Sequence, residues 1–115
     1  MKKRSERRQY PRIEKRLTLK IAANGYDFIT STENISCVGA YCHVPKYIPP
    51  FTKVAVKLEL PMKSDNNDNL NVECKGVVVR TEDESNGGFK IAVFFNEIND
   101  NQRNKISLYL NQFVP

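Results

Sequence analysis

Three arginines stand close together near the N-terminus, in Glu6-Arg7-Arg8-Gln9-Tyr10-Pro11-Arg12, with Arg8 and Arg12 in an R-x-x-x-R spacing. Guanidinium is planar, permanently charged and able to bond phosphate oxygens in pairs. It also matches the O6 and N7 edge of guanine and stacks on a base. Downstream, Asn34-Ile35-Ser36-Cys37-Val38-Gly39 reads N-x-S-x-x-G. Asn and Ser bond local backbone in turns, and Gly permits positive φ or close approach by a ligand. Alone, the first pattern describes many solvated basic arms and the second describes many turns. A ligand that carries phosphates and guanines would offer the arginines each of these contacts.

The charge distribution points the same way. The net charge is +5, but residues 1–20 hold nine Lys or Arg against two Glu, and residues 21–115 hold nine against eleven Asp or Glu. The leading segment is therefore +7 and the remainder −2. A general nucleic-acid binder spreads Lys and Arg over its folded face. A basic arm on a mildly acidic body suits a small anion or an anionic surface. No exposed aromatics alternate with Lys or Arg along a strand as base-stacking platforms would.

Other chemistries find little support. His43 is the single histidine, and a metal site would have to combine it with Cys37, Cys42 and Cys74. Adjacent residues 42 and 43 point to opposite faces of a strand, so buried thiols are the better reading. No G-x-S-x-G, P-loop or Rossmann glycine pattern occurs. The carboxylates at Asp65–Asp68 and Glu82–Glu84 read as solvated loop charge rather than an acid–base pair. An enzyme is not expected, and neither metal nor cofactor is expected. Three cysteines without framework spacing, no apolar run of membrane-spanning length and no signal-peptide h-region imply a cytoplasmic protein.

The elements that must position the motifs follow from periodicity. Met1–Ser5 is polar with nothing to bury and is expected to be mobile, and Arg7–Arg16 lacks a period and reads as an extended arm leading into the domain. Leu17–Ile21 alternates as a half-buried strand. Asn24-Gly25 favours a type I′ turn, and Tyr26–Thr32 is the return strand. The Asn34–Gly39 stretch is a turn, and Ala40–Val44 is a short strand stopped by Pro45. Lys53–Leu60 places Val54, Val56, Leu58 and Leu60 on one face, and Pro61 ends it. Met62–Asn69 is a polar loop, Asn71–Thr81 a strand, Glu82–Gly88 a turn and Phe89–Phe95 the last strand. Ile106, Tyr109, Leu110 and Phe113 then recur at helical spacing, with Asn99 and Gln102 placed as a capping box. Several short strands with tight turns and one terminal helix predict a mainly β fold, a small antiparallel barrel.

From Glu6 to Phe113 the chain resembles the PilZ domain, the bacterial receptor module for cyclic di-GMP. The resemblance lies in the two motifs, in Gly76-Val77-Val78-Val79-Arg80 and in Gly88-Phe89-Lys90-Ile91-Ala92-Val93-Phe94-Phe95. It implies a six-stranded antiparallel barrel over 17–95, a helix over 99–113, an arginine arm over 7–16 and a flexible basic tail over 1–6. It implies a site where the arm folds over the N-x-S-x-x-G turn. Arg8 and Arg12 would contact phosphates and a guanine edge, Asn34 and Ser36 would add polar contacts, and Gly39 would let the backbone come close. Arg7, directly before the motif, implies two intercalated ligand molecules rather than one. The implied protein is a stand-alone receptor that orders its arm and relays the signal to an unidentified protein, with no DNA or RNA partner and no membrane insertion. Two alternatives stay open: a basic-armed β-barrel that binds nucleic acid, and a PilZ-like adaptor that acts without ligand.

Overall fold

The computed structural model describes residues 12–23, 25–62 and 69–113. Six strands, β1 (Thr18–Ala23), β2 (Tyr26–Ile35), β3 (Gly39–Val44), β4 (Lys53–Pro61), β5 (Asn69–Asp83) and β6 (Phe89–Glu97), precede one helix, α1 (Asp100–Asn111). The strands close into an antiparallel barrel in the order β1-β2-β3-β6-β5-β4. Closure removes the edges that an open sheet of this size would expose.

Alternation drives the closure. In β4 every second residue is buried, so Val54, Val56, Leu58 and Leu60 all enter the core. Leu19 and Ile21 of β1 and Ile91, Val93 and Phe95 of β6 meet them there. Burying each such side chain contributes about 1.5–3 kcal/mol. Gly25 has φ +79°, the positive value that the second central position of a type I′ turn needs. Asn24 lies outside the described residues.

Most strand boundaries differ from the sequence reading by a residue or more, and three of the differences have a local cause. β2 continues to Ile35, because a bulge between Thr32 and Asn34 lets the strand keep pairing with β3. Asn34 and Ile35 are therefore strand residues, and the turn proper is Ser36–Val38. β5 runs from Asn69 to Asp83, absorbing residues expected in the flanking loops. Pro61 is the last residue of β4, beyond the Ala55–Leu58 stretch that pairs with β1, where an imino acid is tolerated at a strand edge.

The helix begins as its cap predicts. The Asn99 side chain accepts from the Gln102 N–H at 2.9 Å. The reciprocal bond of a capping box does not form, because the Gln102 side-chain Oε1 accepts from the Glu73 N–H at 2.8 Å instead. Lys105 Nζ donates to the Asn71 carbonyl at 2.9 Å. β6 pairs with β5 only from Lys75 onward, so α1 satisfies the backbone groups of the uncovered part of β5. Ile106, Tyr109 and Leu110 are buried against the barrel. Phe113 lies just past the helix end and meets Tyr109 edge to face at 5.2 Å.

The base of the arm is held more firmly than its composition suggests. Ile13 and Ile35 exchange two backbone bonds of 2.9 and 3.0 Å. Thr32 is fully buried. Its hydroxyl accepts from the Leu17 N–H at 3.0 Å and donates to the Lys15 carbonyl at 2.5 Å. Residues 12–17 thus run antiparallel beside β2, and this contact carries Arg12 to the end of that strand. Arg7, Arg8 and the tail expected over 1–6 lie outside the described residues.

Candidate functional site

Asn34, Tyr41, Ala92 and Arg80 are successive ladder partners across β2, β3, β6 and β5. Directly opposed residues share a face of the sheet, and here it is the outer one. Arg12 joins this row from the arm. Its Nη1 donates to Asn34 Oδ1 at 2.9 Å, and both groups are reachable from solvent. The acceptor is a neutral amide, so the bond orients the guanidinium without cancelling its charge.

Tyr41 sits among three cations. The Arg12 and Arg80 guanidinium carbons lie 5.6 and 5.1 Å from its ring centroid, and Lys90 Nζ lies at 6.0 Å. Ala92 is buried beneath this layer without belonging to the interior core. Arg80 pairs with Glu82 at 3.1 Å, and Lys90 with Glu33 at 3.1 Å and Glu84 at 3.6 Å. The hydrogen bond and charge of Glu33, with a smaller contribution from Glu84, hold the Lys90 ammonium above its usual range. Among the described residues Arg12 makes no ion pair. An open polar cleft of about 510 Å³ lies alongside, lined by Glu14, Lys15, Arg16, Glu33 and Asn34.

The turn between β2 and β3 is built by its own side chains. The Ser36 N–H donates to the Gly39 carbonyl at 2.9 Å, and Ser36 Oγ accepts from the Val38 N–H at 3.2 Å. Ser36 is 1% exposed, so its hydroxyl serves the turn rather than facing open solvent. The Val38 carbonyl accepts from the Phe95 N–H at 2.8 Å, tying the turn to β6. Cys37 Sγ and Ser107 Oγ are 3.1 Å apart, tying it to α1. Lys15 adds a second link from the arm to the C-terminal segment, 4.3 Å above the Phe113 ring.

Gly39 has a packing reason for being glycine. A Cβ there would stand 2.4 Å from the Val93 carbonyl oxygen, well inside contact distance. Its φ is not positive, so close approach by β6 is by itself a reason for glycine at this position. Of the residues singled out by sequence, Arg12 and Asn34 are brought together as accessible polar groups, while Ser36 and Gly39 shape the turn beneath them. Tyr41, Arg80 and Lys90 were missed. Arg80 and Lys90 lie in stretches that the sequence singles out, but their meeting with Tyr41 depends on β6 lying between β3 and β5.

The cysteines do not converge. Cys42 is fully buried and Cys74 half-buried, and burial pushes their thiols up to about 12 and about 11. His43 faces the other way from Cys42, with Nε2 at 3.0 Å from the Gly87 carbonyl. Among the described residues no three His, Cys, Asp or Glu side chains are grouped to hold a metal ion, and no helix is long and apolar enough to cross a membrane.

The barrel is similar to several solved structures. The Bacillus subtilis inhibitor of motility MotI (DgrA) superposes with a TM-score of 0.78 at 19% identity, covering 93% of this chain and 51% of that one. MrkH, described as a c-di-GMP-dependent transcription regulatory factor, superposes at 0.62 with 15% identity, covering 93% and 51%. The PilZ domain of YcgR from Escherichia coli, determined with c-di-GMP, superposes at 0.59 with 11% identity, covering 91% and 90%. The chain thus spans about half the length of MotI and MrkH, and at these identities the likeness is one of fold. A comparison with curated proteins finds no sequence match. The model of the PilZ domain matches residues 6–112, nearly the whole chain and both motifs. With the closed six-stranded barrel, its terminal helix and that match in agreement, the chain belongs to the PilZ domain family.

Proposed function

We propose that this protein is a non-enzymatic receptor for cyclic di-GMP. The observation that carries the reading is the Arg12–Asn34 bond, which joins the R-x-x-x-R arm to the N-x-S-x-x-G strand on one outer face. Family membership supports it, as does the likeness to the YcgR PilZ domain, whose structure was determined with c-di-GMP. In the proposed complex Arg8 and Arg12 bond the phosphates and a guanine O6–N7 edge. Asn34 keeps Arg12 oriented and offers its amide. Ser36 and Gly39 contribute through the turn they shape, and Tyr41 and Arg80 supply a stacking surface beside it. Arg7 stacks on a second, intercalated ligand, so two molecules bind per chain.

The relay follows from the arm. Its like charges repel one another, and bound phosphates offset that repulsion. The N-terminal segment is thereby pinned against the barrel, and the altered surface is presented to a partner protein in the cytoplasm. The test is a pair of thermal melts with and without cyclic di-GMP. A ligand that binds the native state stabilises it by about 2.7 kcal/mol at 100 times its Kd. A Tm that does not move at saturating cyclic di-GMP would refute the reading.

A further inference from the structure

Phe51 combines two features that folded chains seldom combine: its φ is 74° and its side chain is 80% exposed. It sits in the turn Pro49-Pro50-Phe51-Thr52, closed by a 3.2 Å bond from the Thr52 N–H to the Pro49 carbonyl. Positive φ at the third place of such a turn suits glycine or asparagine, and a bulky L residue there is strained. An exposed ring offsets none of that strain by packing within the chain. Backbone bonds between the turn and Val78 of β5 hold the strained conformation in place, and the ring is left facing solvent, an arrangement that points to a function.

The neighbourhood supplies one. The Phe51 N–H donates to the Val78 carbonyl, which holds Phe51 beside Val79. Val79 is 47% exposed and Phe94 45%. Lys53, Val77 and Phe94 are ladder partners in one row across β4, β5 and β6, so they share the outer face. Gly39 continues that row on β3 and has no side chain to cover Phe94. Phe51, Val79, Val77 and Phe94 therefore form one apolar strip. Lys53 and Lys75 border it without an ion pair to a described residue, although Lys75 has Glu97 as its ladder partner on β6, which leaves Lys53 as the charge without a carboxylate opposite it. The Tyr41–Ala92 row lies two residues further along β3 and β6, so the strip abuts the candidate ligand site.

We propose that this strip docks a partner segment that presents apolar or aromatic side chains flanked by carboxylates. The apolar groups match Phe51, Val77, Val79 and Phe94, and the carboxylates match Lys53 first and Lys75 beside it. Phe51 is the anchor, an aromatic group already held outward. The proposal rests on the receptor reading only in expecting the strip to be read together with the ligand; docking itself does not require it.

The experiment pans a random dodecapeptide phage library on the full chain. Sequences that combine apolar residues with Asp or Glu are expected to be enriched. A synthetic peptide of the enriched type is expected to bind Phe51→Gly and Phe94→Ser at least tenfold more weakly than the unmodified protein. Glycine relieves the positive φ, so the Tm of Phe51→Gly should stay level or rise, which separates lost docking from lost folding. Basic enriched peptides, no enrichment, or unchanged binding to both variants would overturn the proposal. So would a concentration-dependent dimer in sedimentation velocity that Phe51→Gly abolishes, since the occupant would then be a second copy. Cyclic di-GMP titration of Phe51→Gly is expected to match the unmodified protein. Selective peptide binding by a protein that fails to bind cyclic di-GMP would sink the receptor reading and leave the docking surface standing.

Discussion

Replacing Gly39 by alanine separates packing from ligand contact at the last position of the N-x-S-x-x-G motif. The added methyl group would stand 2.4 Å from the Val93 carbonyl oxygen. An ordinary carbon–oxygen contact is about 3.3 Å, so β3 and β6 must move apart locally by about 0.9 Å. The ladder from Gly39–Phe94 to Val44–Phe89 and the 2.8 Å bond from the Phe95 N–H to the Val38 carbonyl would stretch with them. Overpacking of this kind costs about 1–3 kcal/mol, roughly 4–12 °C in Tm at about 4 °C per kcal/mol for a domain of this size. The assay is a thermal melt without ligand, followed by calorimetry with cyclic di-GMP at a temperature where the variant is folded. A Tm within 1 °C of the unmodified protein would refute the packing account of Gly39. Unchanged stability with abolished binding would return the glycine to the ligand.

Other substitutions address the remaining parts of the account. Arg12→Ala removes one exposed hydrogen bond and one exposed cation–π contact, so its ligand-free stability should fall by about 1 kcal/mol or less, while the ligand-induced rise in Tm should vanish. A larger loss without ligand would make Arg12 structural. Arg7→Leu should lower the calorimetric ratio from two cyclic di-GMP per chain towards one with binding retained; a ratio of one for the unmodified protein would remove the role given to Arg7. Burial raises the folded Cys42 thiol to about 12 from about 9, so the unfolded chain gives up this proton first. The stability that the neutral thiol contributes is full below pH 9 and is lost as pH rises towards 12. Denaturant titrations of Cys42→Ala should therefore show a shallower alkaline decline than the unmodified protein, and an identical slope would contradict the assignment.

Where the physics is local, the sequence was readable. Alternation in Lys53–Leu60 is a period-two signal, and every alternate residue of β4 is buried. Asn99 caps the helix because an amide oxygen three residues ahead of a free N–H needs no tertiary help. Gln102 shows the limit: its side chain turned to Glu73, since an uncovered strand edge competes better than its own cap. Asn34 reads as a turn residue in sequence because the bulge that keeps it in β2 is created by pairing with β3. The reason for Gly39 lies in β6, more than fifty residues away, and Tyr41 meets Arg80 only once the barrel closes. Neither has a signature in its own segment.

The arm and the N-x-S-x-x-G strand are proposed to form a site for cyclic di-GMP rather than a general polyanion surface. Calorimetric titration at 50 and 200 mM salt, with cyclic di-GMP and with random single-stranded DNA and RNA, tests it directly. Six to ten non-specific phosphate contacts lose about three or more orders of magnitude in affinity over that range, whereas a ligand with two phosphates should show a shallow slope. The expected result is retained cyclic di-GMP binding at 200 mM salt with the oligonucleotides released. Oligonucleotides that bind as tightly as cyclic di-GMP at 200 mM, or the absence of cyclic di-GMP binding at either salt, would contradict it.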